Sequence, residues 1–315
     1  MRILFCGSGT LAVPSLAKLA SAGHELVGVV TQPPRPAGRG GKLRPTPLAE
    51  AVRALPGHDP ARDLIEAPKI NAPEVVQWIA DRRPDVICVA DFGQMVRSAV
   101  RATARLDTIN LHASMLPELR GAAPINWAII RGLRKTGLST FSLVDKLDAG
   151  PVYLQEELEI RADETADELR GRCAELGAAL MCATLRMIEG GGKPSPQDEA
   201  GVSLAPVMKK TDGLIDWSAP AETIRDLIHG TWPWPGGQAV FRRQGGFEAH
   251  VILARAAAEE AHHTEAGVLD ADLCVGAGRG RLRILQIKPA GGRLMTWRDF
   301  VNGHRVTSGD RFVRP

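Results

Sequence analysis

Apolar and polar residues follow two alternating patterns through the first 190 residues of the chain. Short runs rich in valine and isoleucine have the character of strands, and they cover residues 2–6, 25–31, 64–67, 85–90 and 108–112. Between these runs apolar residues recur at helical spacing, as Val75, Val76 and Ile79 do. The alternation predicts an α/β fold with a doubly wound, mostly parallel, Rossmann-like sheet. Ligands of such sheets bind beyond the carboxyl ends of the strands.

The remainder of the chain has a different pattern. Residues 165–189 have the spacing of a long helix, and residues 190–206 follow with three prolines among polar residues, as a linker would. Short strand-like runs then cover residues 239–243, 248–253, 267–269, 273–275 and 282–287. Short strands broken by glycines predict a small β-barrel, and the oligonucleotide-binding (OB) barrel is one option. The predicted organisation is a first domain over 1–189, a linker over 190–206 and a barrel-like domain over 207–315.

Composition argues against several classes of protein. The chain has 315 residues, 44% hydrophobic and 24% charged, which is typical of a globular protein. No apolar run has the length of a membrane span, and the first residues enter a strand instead of forming a secretion signal. We therefore expect a cytoplasmic protein without a membrane partner. Its five cysteines lack a C-x-x-C pair and are expected to be reduced thiols in the core.

Charge is unevenly distributed along the chain. The net charge of +3 is too small to indicate a nucleic-acid partner by itself. Residues 273–315, however, contain nine arginines and lysines and only two aspartates, an excess of +7. Such a local field attracts a polyanion, although a solvated basic surface without any partner has the same composition.

Residues 7–12, Gly-Ser-Gly-Thr-Leu-Ala, follow the first strand and fit the G-x-G-x-x-A pattern of dinucleotide-binding turns. Binding a dinucleotide also calls for an acidic residue at the end of the second strand, where it bonds the ribose hydroxyls. That strand ends Val29-Val30-Thr31-Gln32, without an acid. We interpret the glycines as a tight turn that lets the helix pack closely, and not as a nicotinamide or flavin site.

Residues 109–117, Ile-Asn-Leu-His-Ala-Ser-Met-Leu-Pro, carry the most informative chemistry. Residues two apart on a strand share a face, so Asn110 and His112 point the same way at the carboxyl end of their strand. An amide donor beside an imidazole is suited to stabilising an oxyanion. Because lone Asn and His residues near strand ends are more often structural, the pair alone does not establish a catalytic site.

The motif Asn-x-His-x-Ser-x-Leu-Pro, followed by Arg-Gly-Ala-Ala-Pro at 120–124, resembles the signature of the formyltransferase family that uses 10-formyltetrahydrofolate. Lys-Leu-Asp-Ala-Gly at 146–150 is similar to the acidic element of that family, with Ala149 where threonine is common. Residues 215–217, 232–236 and 309–312 resemble landmarks of its C-terminal domain. The resemblance implies that Asn110, His112 and Asp148 are catalytic. Asn110 and His112 would stabilise the formyl oxygen, and Asp148 would orient the imidazole and help to remove the proton of the attacking amine.

The resemblance also places the donor, 10-formyltetrahydrofolate, in a crevice between two loops. The pterin would contact three residues of the first loop, Ala90, Phe92 and Gly93. It would contact four residues of the second loop, Ser114, Met115, Leu116 and Pro117. Asp91 and Glu118, in the same loops, differ from residues that are common in the family. An α-amine has an unperturbed pKa of about 7.7–8.0, so we expect no metal to be needed for its activation. No Cys/His cluster has the spacing of a metal site.

Residues 32–47 resemble the insertion loop of the branch of this family that formylates methionyl-tRNA. The segment has five prolines and four cations and no acid. This composition disfavours helix and strand, and we expect a mobile loop that contacts tRNA through Arg39 and Lys42. The implied acceptor is the initiator methionyl-tRNA, and no obligate protein partner is expected.

Three other functions remain open at this point. A formyltransferase acting on an amino-sugar nucleotide would share the triad, but it would need neither the basic 273–315 region nor the basic loop. A hydrolase that releases formate from formyltetrahydrofolate would share the triad too. A non-catalytic module that binds folate or nucleic acid is the simplest alternative.

Overall fold

The computed structural model describes residues 1–37, 41–261 and 265–315. The described residues form fifteen strands and nine α-helices. The strands are β1 (Arg2–Gly7), β2 (Glu25–Thr31), β3 (Arg35–Ala37), β4 (Lys42–Arg44), β5 (Leu64–Glu66), β6 (Val86–Ala90), β7 (Asp107–His112), β8 (Lys135–Ser142), β9 (Val152–Glu159), β10 (Gly237–Arg242), β11 (Glu248–Glu259), β12 (Val275–Gly276), β13 (Arg281–Pro289), β14 (Met295–Thr296) and β15 (Arg311–Val313). The helices are α1 (Ala12–Ser21), α2 (Pro47–Arg53), α3 (Pro60–Asp63), α4 (Pro73–Asp81), α5 (Ser98–Arg101), α6 (Pro124–Ile130), α7 (Ala166–Glu189), α8 (Ala221–Thr231) and α9 (Trp297–His304).

A seven-stranded sheet with the order β5-β2-β1-β6-β7-β8-β9 organises the first part of the chain. Strands β5, β2, β1, β6 and β7 run parallel, and β8 is antiparallel to β7. The strand order reverses at β1, because β2 lies on one side of it and β6 on the other. Such a reversal opens a ligand crevice at the carboxyl ends of the two strands, here at Gly7 and Ala90. The predicted doubly wound, mostly parallel α/β sheet is confirmed.

The central strands match their predicted bounds closely because each is a continuous apolar run. All five residues of β6 are buried, as expected for a parallel strand covered on both faces. Leu4, Val30, Ile79 and Ile87 belong to one core cluster on this sheet. Strands β8 and β9 were not predicted, and β9 lies at the edge of the sheet, where its residues are exposed or half-buried.

Residues 32–47 differ from the prediction. Strands β3 and β4 pair as an antiparallel ribbon, with Pro36 opposite Leu43. The expectation that this composition disfavours strand was wrong, because a two-stranded ribbon has only edge strands and an edge strand tolerates proline. Arg39 lies outside the described residues, and the mobility expected of this loop stays a prediction.

The second sheet has the order β12-β13-β11-β10-β15, and β14 pairs with β13. Isolated bridges extend the pairing towards a ring: Val268 pairs with Arg311 of β15, and Leu269 pairs with Val275 of β12. The core that this sheet encloses includes the fully buried Phe241. The predicted small β-barrel is confirmed.

Two helices of this part were not predicted. Helix α8 buries Ile224 and Ile228 in the core of the barrel sheet, and α9 buries Phe300 there. Thr296 caps α9 through a hydrogen bond from the Asp299 N–H at 3.2 Å. Both helices are short and amphipathic, and the strand-like runs on either side of them dominated the pattern from which this part was predicted.

Contacts within the chain divide it into two compact units. The first comprises residues 1–124, 136–158 and 170–205, and the second comprises residues 125–135, 159–169 and 206–315. Residues 190–205, which the sequence suggested as a linker, lie in the first unit and pair with it through Ser195 opposite Val152. The three-part division of the chain drawn from the sequence stays a prediction.

All five cysteines lie among the described residues, and all are buried without forming a disulfide. The prediction of core thiols is therefore confirmed. Within the described ranges, no helix combines the length and the apolar character needed to cross a membrane.

Candidate active site

The carboxyl end of β7 presents two of the predicted catalytic side chains. Asn110 is half-buried and His112 is buried, and their spacing of two residues puts both on one face of the strand. Phe141 of β8 lies opposite Asn110 and packs its ring perpendicular to the imidazole, with centroids 6.4 Å apart. The neighbouring strands therefore fix where these two side chains can point.

Hydrogen bonding distinguishes the two nitrogens of His112. Its Nε2 lies 2.9 Å from the carbonyl oxygen of Leu119. A carbonyl can only accept, so Nε2 carries a proton and donates it. The other nitrogen, Nδ1, lies 3.8 Å from Oδ2 of Asp148. The nitrogen available for chemistry is therefore Nδ1, and it faces a carboxylate.

Asp148 is held in the loop that follows β8. Its Oδ2 accepts a hydrogen bond from the Gly121 N–H at 2.8 Å, and the residue is 8% exposed. Gly150 two residues later packs so tightly against the carbonyl of Ser142 that a Cβ would clash with it. The glycine of this motif thus lets the loop lie flat on β8 and carry Asp148 to His112.

Asn110 differs from its two neighbours in the site. Over residues 1–37, 41–261 and 265–315, no hydrogen bond of the Asn110 side chain is found. A half-buried amide that is free of protein partners can donate to a bound molecule. The structure thus brings the predicted triad to one edge of the sheet, and the catalytic roles of its members stay a prediction.

The first predicted folate segment, Ala90 to Gly93, ends β6 beside the triad. Ala90 pairs with Leu111 of β7, and Ala90 and Phe92 are almost completely buried. The carbonyl of Phe92 accepts a hydrogen bond from Nε2 of Gln32 at 2.6 Å. Gln32 is the first residue of the 32–47 segment, and it ties that segment to the predicted pocket. The sequence pattern contained no signal for this contact.

The second predicted segment, Ser114 to Pro117, is more occupied by internal bonds than expected. The N–H of Leu116 donates to Oγ of Ser139 at 3.0 Å, and the Leu116 carbonyl accepts from Nε2 of Gln155 at 2.9 Å. Oγ of Ser114 donates to the carbonyl of Glu118 at 2.6 Å. The Leu116 N–H and the Ser114 hydroxyl are therefore already bonded, and the half-buried Met115 and Pro117 are the side chains of this segment that a ligand could contact.

The glycine turn at the start of α1 is closed by Asp91. The Asp91 carbonyl accepts from the N–H groups of Ser8 and Gly9 at 3.0 and 3.1 Å, and its carboxylate accepts from the N–H of Leu11 at 3.3 Å. A Cβ at residue 9 would clash with that carboxylate, so Gly9 and Asp91 depend on each other. The amides that would hold a pyrophosphate are therefore bonded already, beside an acid, which agrees with interpreting this turn as structural.

The two predicted tRNA contacts differ in what the structure provides. Lys42 lies on β4 and is exposed. Arg39 lies outside the described residues. Among the described residues, no cluster of three or more His, Cys, Asp or Glu side chains could hold a metal ion.

Comparison with known proteins adds the family to this geometry. Residues 1–185 match the model of the formyl transferase family, and residues 207–305 match the model of the formyl transferase C-terminal domain. The chain belongs to the formyl transferase family. Its sheet edge with Asn110, His112 and Asp148 is therefore the candidate formyl-transfer site.

Individual relatives extend the likeness over the whole chain. A methionyl-tRNA formyltransferase of Koribacter versatilis (strain Ellin345) is 39% identical over 317 residues, which cover 100% of this chain and 99% of that protein. HypX from Aquifex aeolicus in complex with tetrahydrofolic acid has a TM-score of 0.64 and 20% identity, over 96% of this chain. This chain spans only 47% of HypX. The methionyl-tRNA formyltransferase from Clostridium thermocellum has a TM-score of 0.57 and 15% identity, over 82% of this chain and 93% of its own. At these identities the two structures support the fold alone.

Proposed function

We propose that this protein transfers the formyl group of 10-formyltetrahydrofolate to the α-amino group of initiator methionyl-tRNA. The observation that carries the proposal is the likeness over 98–100% of this chain to relatives named methionyl-tRNA formyltransferase, at 36–39% identity. That likeness covers the barrel unit as well as the unit that holds the triad. A cytoplasmic location is part of the proposal, because charged tRNA is used in the cytoplasm of bacteria such as those relatives come from.

The chemistry begins with the amine attacking the formyl carbon. Negative charge then develops on the formyl oxygen, and a well-placed donor there can contribute about 3–4 kcal/mol to lowering the barrier. The free amide of Asn110 is one such donor. Because Nε2 of His112 is bonded to Leu119, His112 faces the reacting groups through Nδ1, and we assign it to polarising the same oxygen from that side. The carboxylate of Asp148, 3.8 Å from Nδ1, orients the imidazole.

Proton balance assigns the second role of Asp148. The amine loses one proton as the new N–C bond forms, and nitrogen 10 of the folate gains one as the old C–N bond breaks. Asp148 accepts the first proton directly or through water. Asp148 then passes that proton to nitrogen 10, directly or through water, which balances the step without a second acid.

The second unit supplies charge for the acceptor. Four of the nine cations in residues 273–315 form ion pairs with acids that lie outside that stretch of sequence: Arg279 with Glu222, Arg281 with Glu259, Asp270 and Asp272, Arg283 with Glu259, and Arg311 with Glu265. The excess of +7 counted along the sequence therefore overstates the field that a polyanion meets.

Three cations near the β13–β14 turn remain without an acid. Lys288, Arg293 and Arg298 form no ion pair within the described part of the chain, and Arg293 and Arg298 are exposed. Lys288 lies opposite Ile252 on the sheet face turned away from the buried Ile287, since successive side chains alternate between faces. We name Lys288, Arg293 and Arg298 the cationic surface, and it supports a role in binding the phosphates of tRNA.

An amino-sugar nucleotide as acceptor is the alternative that remains closest in chemistry. It would use the same triad and the same donor. Relatives that are 36–39% identical over both units carry the methionyl-tRNA name, and the sugar substrate would have no need of a cationic surface on the barrel. These observations favour the tRNA.

A direct assay tests the proposal. The protein is incubated with 10-formyltetrahydrofolate and, in separate reactions, with initiator methionyl-tRNA, a dTDP-linked amino sugar or no acceptor. Formyl-methionyl-tRNA should form, with no product from the sugar and no acceptor-independent release of formate. Product from the sugar alone would replace the tRNA as acceptor, and formate release without an acceptor would make the protein a hydrolase.

A further inference from the structure

The segment that follows α7 returns across the site instead of leaving it. We call residues 195–205 the arm. Ser195 exchanges main-chain hydrogen bonds of 2.7 and 2.8 Å with Val152. At the other end, the carbonyl of Ser203 accepts from the Arg120 N–H at 2.9 Å, and the Ala205 N–H donates to the Arg120 carbonyl at 2.8 Å. The arm is therefore fixed at one end to the first residue of β9 and at the other end to the loop that contains Arg120.

Between these anchor points, one side chain joins the two loops. Nε2 of Gln197 donates to the carbonyl oxygens of Asp148 and Gly150, at 2.8 and 2.7 Å. Oε1 of Gln197 accepts from Nη2 and Nε of Arg120, at 2.7 and 3.1 Å. Two carbonyls on one side and a guanidinium on the other leave only one orientation of the amide that satisfies all four bonds.

The group that Gln197 holds is the main chain of Asp148. Asp148 has φ of +48°, a left-handed conformation that costs a residue other than glycine roughly 1 kcal/mol or more unless its surroundings hold it. Gln197 bonds the carbonyl of this residue, and Gly121 bonds its carboxylate at 2.8 Å. The two contacts together determine how the carboxylate meets Nδ1 of His112.

Arg120 makes the arrangement rigid from the other side. Its side chain is 3% exposed, and it also donates to Glu199 at 2.9 Å. The guanidinium thus bonds two residues of the arm, Gln197 and Glu199. The main chain of Arg120 pairs with two more, Ser203 and Ala205. Because this charged side chain is buried and makes several hydrogen bonds, the contact between Arg120 and the arm is costly to rearrange.

We propose that Gln197 is a positioning residue for formyl transfer: it holds the Asp148 loop so that the carboxylate of Asp148 faces His112. It acts through Asp148 and touches neither substrate. The inference rests on the proposed function, because it assigns Asp148 its role in that reaction.

The test compares Gln197→Glu with the wild type. The substitution keeps the size of the side chain and the acceptor for Arg120. It removes both donors and turns a carboxylate oxygen towards two carbonyls. We expect kcat for formylation of methionyl-tRNA to fall about tenfold to 100-fold, by analogy with other supports of reacting groups. The KM values for both substrates should stay within about twofold, since binding is not what the residue serves.

A double variant separates positioning from general support of the fold. In an Asp148→Ala background, Gln197→Glu should cost little further activity, because the group that it positions is gone. Equal factors of loss in both backgrounds would overturn the proposal. Gln197→Met, which removes every hydrogen bond of the amide at similar volume, should behave as Gln197→Glu does, and full turnover in both variants would overturn it as well.

Glu199→Gln is the matched control on the arm. Glu199 lies two residues from Gln197 and bonds the same guanidinium, and its only bond to the Asp148 loop among the described residues is an exposed ion pair with Lys146 at 2.8 Å. Its side chain is 59% exposed and bonds neither Asp148 nor Gly150 in the described structure. Its kcat should remain within about twofold of the wild type, as is usual for an exposed ion pair. A loss of kcat equal to that of Gln197→Glu would attribute the effect to Arg120 and would contradict the positioning role of Gln197. A wild type that formylates no methionyl-tRNA would overturn the proposed function itself, whereas an active wild type with fully active Gln197 variants would overturn only the positioning role.

Discussion

The candidate catalytic edge of the first unit, with Asn110, His112 and Asp148, and the cationic surface of the second use polar side chains in different ways. At the edge, His112, Asp148 and Arg120 are almost completely buried, and each is bonded to a defined partner. On the cationic surface, Arg293 and Arg298 are exposed and no acid pairs with them in the described chain. Chemistry needs groups held within a fraction of an ångström, whereas phosphate contacts gain from cations that no acid has neutralised. The contrast separates residues that should govern turnover from residues that should govern binding.

The largest expected effect comes from the catalytic edge. Asn110→Ala, His112→Ala and Asp148→Ala should each lower kcat by about 10²-fold or more, because each removes a group that acts in the transition state. Double variants should lose little beyond the worse single variant. Single-turnover formylation measures both effects. Wild-type turnover in any one variant would remove that residue from the mechanism, and a changed salt dependence of tRNA binding would break the contrast with the second unit.

The 32–47 loop belongs to the first unit in sequence but should behave like the cationic surface. Arg39→Ala and Lys42→Ala should each lower kcat/KM for methionyl-tRNA on the order of tenfold, the value of a lost charge-assisted hydrogen bond. The KM for 10-formyltetrahydrofolate should not change. Arg39→Lys should restore only part of the loss, since lysine cannot fork onto phosphate or stack on a base. Equal rates for wild type and Arg39→Ala at subsaturating tRNA would count against a direct contact.

The cationic surface should act through counterion release. Replacing Lys288, Arg293 or Arg298 by alanine should lower the slope of log affinity against log salt by about one phosphate contact each. Arg283 is the matched control, because Glu259 bonds its guanidinium at 2.6 Å and already neutralises it. Titrations of tRNA binding at several salt concentrations measure the slopes. A slope change for Arg283→Ala as large as for the three others would show that pairing with an acid does not decide which cations bind.

The smallest expected effect concerns the stability of the barrel unit and how that stability depends on pH. His229 of α8 is buried, and its Nε2 accepts a hydrogen bond from the Ala256 N–H at 3.2 Å. Burial, with Arg225 and Arg255 nearby, lowers the pKa of His229 to about 4. Its ordinary value is about 6.5. As pH falls below that value, the unfolded chain binds the proton before the folded chain does, so stability should fall between pH 6.5 and 4 and be unaffected by this group above pH 6.5.

From pH 7 to pH 5 the free energy of unfolding should fall by roughly 2 kcal/mol on account of His229. His229→Gln keeps an acceptor for the Ala256 N–H and should remove that part of the pH dependence. His250, which is exposed, offers the control variant His250→Gln, and it should leave the dependence as it is. Urea unfolding at the two pH values measures the change, and an undiminished dependence in His229→Gln would contradict the assignment.

The periodicity of the sequence predicted the five parallel strands of the first sheet but not its two further strands, β8 and β9. Its central strands are continuous apolar runs, so their positions, their parallel arrangement and the crevice at their carboxyl ends all follow from local pattern. The motif at 109–117 and Asp148 could be identified by resemblance. Their roles depend on residues that the pattern did not single out, such as Leu119, which decides which nitrogen of His112 is free.

Two segments with nearly the same local signal show what only the tertiary structure decided. Residues 32–47 and 190–206 both combine prolines with polar residues, and composition predicted unpaired chain for both. The first contains a β-ribbon, and the second contains the arm, whose Gln197 bonds residues 47 to 77 positions earlier in the chain. Proline content reports which local conformations are disfavoured, but the partner of a hydrogen bond depends on which distant loop lies opposite. The sequence by itself determined the parallel strands of the sheet, the family and the candidate reacting side chains, and only the folded chain decided which groups hold those side chains in place.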